Sequence, residues 1–297
     1  MADELRVVQR PDLRNAVLIT AFRGWNDGGQ GASLAGGYLA KAWAAARFAE
    51  VESEGFFDFS ETRPHVSLVE GRTRKIDWPD NAFYHAHIPG VERDAVLLLG
   101  IEPNLRWRTF TGLIVDLARQ LGVELVVTLG SLLADVPHTR PSPVTGGATD
   151  PELIERLGLQ PSRYEGPTGI VGVLHDACSR AGLPSVSLWA AVPHYVSLAP
   201  SPRAALALCE RLGSILGADI DTSELDEAAE RYSEQVSEAV ASDEETAAYV
   251  AELEQRADVL DEEENLPSGE SLAAELTRFL REREAGNGGP EGPSEQP

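Results

Sequence analysis

Lysine, cysteine and long apolar runs are scarce in this sequence of 297 residues, and each scarcity excludes something. Lys41 and Lys75 are its two lysines, so nearly all positive charge is arginine, and no basic stripe marks a nucleic-acid surface. Cys178 and Cys209 stand alone, without the spacing of a zinc or redox motif, and read as small buried hydrophobes. No apolar run approaches the roughly 18 residues that a membrane span needs. The opening Met-Ala-Asp-Glu-Leu-Arg is unlike a secretory signal. The expectation is a cytoplasmic protein that binds neither nucleic acid nor membrane.

Acid is what the chain has in excess, and it is unevenly placed. Residues 222–297 carry 22 acidic and 5 basic side chains, or −17 of the total charge of −23. The acidity therefore belongs to a carboxy-terminal module, while 42% hydrophobic residues leave enough for a folded core.

The first 217 residues read as strands alternating with helices. Apolar runs at 16–22, 94–101, 123–129 and 185–192 lack polar alternation, which suits central strands covered on both faces. Helices are expected at 30–46, 107–121, 151–157, 170–181 and from Ser201-Pro202 to Gly217, where serine caps, proline opens and glycine ends the helix. Short strands are expected at 47–52 and 65–70, and a hairpin-like excursion pairs 74–79 with 81–88. Residues 135–148, rich in proline and glycine, read as a loop. The alternation predicts a three-layer α/β/α sandwich with a mostly parallel sheet over residues 1–221.

Beyond it, Leu225, Ala229, Tyr232, Val236 and Val240 form one helical stripe; Val250, Leu253, Ala257 and Leu260 form a second. Leu272, Leu276, Phe279 and Leu280 form a third. Residues 222–284 thus make an acidic helical region, and 285–297 a disordered tail.

The glycine turn after the first strand, Gly24-Trp25-Asn26-Asp27-Gly28, sits where an α/β fold presents ligand-facing loops. It is not a phosphate loop. Gln30 and Gly31 stand where lysine and a hydroxyl are needed, and Asp27 would put negative charge in the cradle. Asp27 with Gln30 instead reads as a capping-box-like helix start.

Two more segments follow strand ends: Gly100-Ile101-Glu102-Pro103-Asn104-Leu105-Arg106-Trp107 and Leu133-Ala134-Asp135-Val136-Pro137-His138-Thr139-Arg140-Pro141. With the glycine turn, they resemble the proteasome assembly chaperone 2 family in its actinobacterial branch, over about residues 5–282. The resemblance implies an α/β/α fold similar to the phosphorylase/hydrolase-like group and a homo-oligomer, with a trimer as one arrangement. In eukaryotic and archaeal members it implies a chaperone that binds proteasome α-subunits, which makes proteasome-related proteins candidate partners here; no cofactor is expected. Relatives often dock on proteasome α-subunits through a hydrophobic-Tyr-x tail, whereas this sequence ends Pro293-Ser294-Glu295-Gln296-Pro297. That docking route is not expected here.

No complete catalytic motif is present. Gly31-Ala32-Ser33-Leu34-Ala35 lacks the last glycine of a nucleophile elbow and lies inside a helix. His85 and His87 share one strand face without a recognisable third metal ligand. His175 and Asp176 are adjacent on a helix and do not share a face. The candidate cleft is therefore the strand-end edge, where Trp25, Asn26, Asp27, Glu102, Arg106, Asp135 and His138 are expected to converge, Arg106 pairing with Glu102 and Asp135. Two readings of that edge stand side by side. In one, its carboxylates lock loops by satisfying backbone N–H groups, and the protein is a non-enzymatic, protein-binding oligomer. In the other, it is a small-molecule site of nucleoside-phosphorylase or hydrolase type, with Arg106, Arg108 or Arg23 holding an anion and His138 acting as acid–base.

Overall fold

The computed structural model describes residues 4–148, 150–159 and 165–264. Ten strands lie in two sheets. The main sheet holds β1 (Leu5–Val7), β2 (Val17–Arg23), β3 (Ala46–Val51), β6 (Asn81–His87), β7 (Asp94–Ile101), β8 (Leu125–Ala134), β9 (Val144–Ala148) and β10 (Ser185–Pro193). A separate hairpin holds β4 (His65–Val69) and β5 (Thr73–Asp77). The main sheet runs β1-β3-β6-β7-β2-β8-β10-β9, and its four central strands, β7, β2, β8 and β10, are parallel. The outer pairs are antiparallel, so five of the eight strands point one way.

Seven helices complete the described chain: α1 (Gly31–Ala42), α2 (Trp107–Gln120), α3 (Pro151–Arg156), α4 (Ile170–Arg180), α5 (Pro202–Leu216), α6 (Ser223–Ala241) and α7 (Glu244–Glu264). Because side chains alternate along a strand, each central strand feeds two cores. Val17, Ile19 and Ala21 of β2 face α1 and α5, whereas Leu18 and Phe22 face α2 and α4. The second core is the aromatic one, with Phe110 meeting Phe22 and Phe56 edge-on at centroid distances of 6.0 and 5.5 Å. The fold is the expected α/β/α sandwich.

The helix ends follow their sequence signals. Ser201 caps α5 by accepting from Ala204 N, Pro202 opens the helix, and Gly217 ends it in the left-handed conformation. Leu225, Ala229, Tyr232 and Val236 of α6 are buried, as are Val250 and Leu253 of α7. Helix α6 packs on α5, and α7 on α6. The expected third stripe, at 272–280, and the tail lie outside the described residues.

Two sequence expectations change. Residues 135–148 contain an edge strand, β9, whose Gly146 and Gly147 hide its strand character. A Cβ on Gly146 would come within 2.7 Å of the Leu159 side chain, which would have to shift, so the close packing favours glycine there. The hairpin partner of β5 is β4, because Asn81–His87 is already paired on both edges, by β3 and β7.

Topology places the loops. The chain leaves β2 for α1 on one face, while the strands on either side of it, β7 and β8, are followed by α2 and α4 on the other. The carboxyl ends around β2 therefore form the kind of crevice where α/β sheets bind their ligands.

Candidate functional site

Asp27 is the first fixed point of that edge. It is buried, and its Oδ1 accepts from Ala32 N at 2.9 Å, Ser33 N at 3.1 Å and the Ser131 hydroxyl at 3.2 Å. The cap lies five and six residues ahead because a 3-10 turn, Gly28–Gln30, intervenes before α1. Gln30 adopts a left-handed backbone and contributes no side-chain cap, so the capping box is replaced by a longer-range carboxylate cap. A parallel bridge between Asp27 and Ser131 carries the loop along β8, with Ser131 N donating to Asn26 O at 2.9 Å. Gly28 is pressed against it: a Cβ there would sit 3.1 Å from the Leu132 backbone.

Glu102 is the second. Its Oε2 accepts from Trp25 N at 3.0 Å; its Oε1 accepts from Asn26 Nδ2 at 2.9 Å and from Ile170 N, at the start of α4, at 2.8 Å. One carboxylate thus joins the β2 loop, the β7 loop and a helix N-terminus, where negative charge is favoured. Gly24, at φ +139°, leaves room for it, since a Cβ there would lie 2.8 Å from Glu102 Cβ. Trp25 itself stays 65% exposed.

The rest of the second motif secures a different loop. Asn104 Oδ1 accepts from Asp58 N and Thr62 Oγ1, both at 3.0 Å, and Phe56 O accepts from Asn104 N and Leu105 N. Pro103 is buried, and its carbonyl accepts from the Trp107 indole. Arg106 does not reach Glu102 or Asp135. It pairs with Glu4 at 2.6 Å, its guanidinium lying 5.2 Å from the centre of the Phe56 ring, because its left-handed backbone turns the side chain towards the amino-terminal strand.

The third motif docks the carboxy-terminal helices. Asp135 meets His194 Nδ1 and the Tyr249 hydroxyl of α7, each at 3.2 Å. Pro137 is buried. His138, 2% exposed, has both ring nitrogens engaged: Nδ1 by the Tyr195 hydroxyl at 2.8 Å and Nε2 by Ser237 Oγ of α6 at 3.0 Å. Both ring nitrogens of the acid–base candidate are thus engaged, Nε2 in holding α6 to the loop. Thr139 bonds Glu254, and Arg140 forms a two-pronged pair with Asp258.

The expected single cleft is therefore three adjacent locks: Asp27 with Ser131 and α1, Glu102 with Asn26 and α4, and His138 with α6. Most of their polar groups are spent on backbone N–H groups and helix docking, while Asp27 Oδ2 and Asn26 Oδ1 are buried without a hydrogen-bond partner among the described residues. Ser131 Oγ has no histidine bonded to it among the described residues, so it lacks the base that activates a nucleophile. His87 is committed to Asp94 at 2.9 Å, and His85 packs edge-on against Phe48.

The chain matches the PAC2 family model over residues 21–240, a span that contains all three loops. A PAC2 family protein of Streptomyces avermitilis is 47% identical, with a TM-score of 0.75 over 79% of this chain and 99% of that one. This chain belongs to the PAC2 family. A proteasome-assembly chaperone homologue of Mycobacterium tuberculosis is 45% identical, with a TM-score of 0.73 over the same shares. An archaeal proteasome activator of Pyrococcus furiosus shares the fold, with a TM-score of 0.64 at 22% identity over 80% of this chain and 99% of that one. No curated protein matches.

In this PAC2 chain, the residues that sequence reasoning missed are the partners of the motifs: Ser131, Tyr195, Ser237 and Tyr249. Each lies far along the chain from the residue it serves, and no local pattern announces it. Their arrangement makes the helix docking pH-dependent. Burial pushes the His138 pKa below its ordinary value, with Arg203 acting in the same direction and Glu254 opposing. The Tyr195 oxygen accepts the His138 backbone N–H and also hydrogen-bonds the ring Nδ1, and burial of the ring favours its neutral form. The unfolded chain takes up its proton first as pH falls below about 6.5, so this contribution to stability is intact above that value and declines below it. Urea midpoints at pH 7.5 and 5.5 are expected to differ more for the wild type than for His138→Gln; equal differences would remove His138 from the account.

Proposed function

We propose that this protein is a non-enzymatic, protein-binding homo-oligomer whose copies meet through the β4–β5 hairpin. The observation that carries this reading is the hairpin's bare apolar face. Nine of its ten strand residues are exposed. Val66 and Ile76 lie opposite each other, with Leu68 on the same face, at 61%, 52% and 62% exposure. The other face is more polar, Asp77 accepting from Ser67 and pairing with Lys75, with Val69 as its one exposed apolar residue. A two-stranded hairpin is marginal alone in water, so an amphipathic one held off the sheet calls for a cover.

Charge names the cover as a second copy. The hairpin carries Arg72, Arg74 and Lys75 against Glu70 and Asp77, a net charge of +1, whereas residues 223–264 hold sixteen acidic and two basic side chains. An apolar arm of weakly positive charge meeting the acidic helices of a neighbour is a head-to-tail contact, which forms a ring where the rotation closes. A trimer is one closure. Proteasome subunits are the first partners to examine, since relatives are described as a proteasome-assembly chaperone homologue and a proteasome activator. Supporting a non-enzymatic role, both oxygens of Glu102 and one of Asp27 are occupied as loop locks.

Light scattering after gel filtration is expected to give a multiple of the 32.0 kDa chain mass. The combined variant Val66→Ser, Leu68→Ser, Ile76→Ser should run as a monomer, and high salt should weaken the wild-type assembly. A wild type that is monomeric at all concentrations would end the proposal. Crosslinking against purified proteasome α-subunits tests the partner separately.

A further inference from the structure

A groove of about 330 Å³ opens over the carboxyl ends of β2 and β7, on the α1 side of the sheet. It adjoins the Asp27 lock, sharing Ser33 with it, and is not lined by Glu102 or His138. Its floor and wall are apolar, from Leu99 of β7 and Leu34 of α1, and its rim carries Arg23, Asp80, Ser33 and Tyr84.

The charges on this rim are the informative part. Arg23 is paired with Ile101 in the sheet register, and Asn81 with Gly100, so Asp80 lies beside Ile101 on the far side of β7. Arg23 and Asp80 are thus two strand spacings apart, about 10 Å between backbone positions. Arg23 shares its strand face with Ala21, and Asp80 continues the Tyr84 face, so both line the same groove. They do not pair with each other. Asp80 holds Arg47 at 3.2 Å in a half-exposed contact, and Arg23 has no side-chain hydrogen bond or ion pair among the described residues. The Tyr84 hydroxyl likewise has no hydrogen bond there, and Ser33 Oγ makes one long contact to Gln30 O at 3.4 Å.

We infer that this groove binds a small amino-acid zwitterion, its carboxylate on Arg23, its ammonium on Asp80 and its apolar body on Leu34 and Leu99. A guanidinium with all its donors free matches a carboxylate. An exposed Arg47 pair is worth little and yields to a ligand cation. The groove volume admits one small molecule. Position supports the assignment, because the crevice beside β2 is where this class of sheet presents ligands. The inference is independent of the hairpin contact.

Isothermal titration of the full-length protein with leucine, 4-methylpentanoate, isopentylamine and N-acetyl-leucine tests each charge in turn. Leucine is expected to bind at least tenfold more tightly than 4-methylpentanoate or isopentylamine. Arg23→Gln should lower leucine affinity at least tenfold, and Asp80→Asn should bring leucine down to the level of 4-methylpentanoate. Both side chains reach solvent, and the melting temperatures of the two variants without ligand should match the wild type. The N-acetyl arm separates a free amino acid from the carboxyl end of a peptide: binding as tight as leucine would replace the zwitterion with a chain terminus and overturn the role of Asp80. No heat or stabilisation with millimolar leucine, or unchanged binding in both variants, would overturn the site altogether.

Discussion

Gly100→Ala is expected to destabilise the protein by about 3 kcal/mol, lowering the urea midpoint without changing the slope. Gly100 is in the body of β7, where it pairs with Asn81 at the start of β6. A Cβ there would lie 2.1 Å from Asn81 Oδ1, 2.4 Å from Asp80 O and 2.7 Å from Asn81 Cα. Two of those atoms are backbone, so no rotamer change relieves the overlap, and β6 must move away from β7. Phe83, which packs into the aromatic core from β6, moves with it. Gly112 is the built-in control. It lies within α2, and a methyl group added there would meet nothing within 4 Å, so Gly112→Ala should stabilise by about 0.5–1 kcal/mol through helix propensity alone. If both substitutions cost the same, close approach is not what holds Gly100 in place.

That contrast also shows what a sequence makes legible. The parallel strands could be read because Val17–Arg23 and Asp94–Ile101 are apolar without alternation, a local property of burial on both faces. Helices α2 and α5 could be read from periodic apolar faces and their caps. Strand β9 could not, since in Val-Thr-Gly-Gly-Ala two glycines and an alanine offset the strand preference of Val144 and Thr145, and the segment is ordered by pairing with β10. The site divides in the same way. That Asp27 would cap α1 was visible from its place before the helix. That Glu102 would cap α4, 68 residues later, was not, because the contact exists only after α4 folds against the sheet. Arg106 misled because charge and sequence proximity to Glu102 carry no information about direction. Its φ of +56° sends the side chain to Glu4 instead. Motif residues that look like one cleft in sequence are several locks in space, each paired with a partner that the local pattern does not mark.

The same reasoning makes Glu102 the residue whose loss should reach furthest. Glu102→Ala strands three donors at once: Trp25 N, the Asn26 amide and Ile170 N. Hydrogen bonds to a charged group contribute about 1.5–3 kcal/mol each, and Glu102 is only partly buried, so water recovers some of the loss. A net cost of about 3 kcal/mol is expected. Glu102→Gln should recover less than half of it, because its amide offers one acceptor oxygen and turns an NH2 towards donors that need an acceptor. The pattern of damage distinguishes a lock from a binding residue. Hydrogen exchange should quicken together at Trp25, Asn26 and the first turn of α4, while α5 and α6, anchored through Ser201 and Arg203, keep their protection. Exchange confined to the β7 loop, with α4 unaffected, would show that the carboxylate does not tie these elements together and would return Glu102 to the candidates for ligand contact.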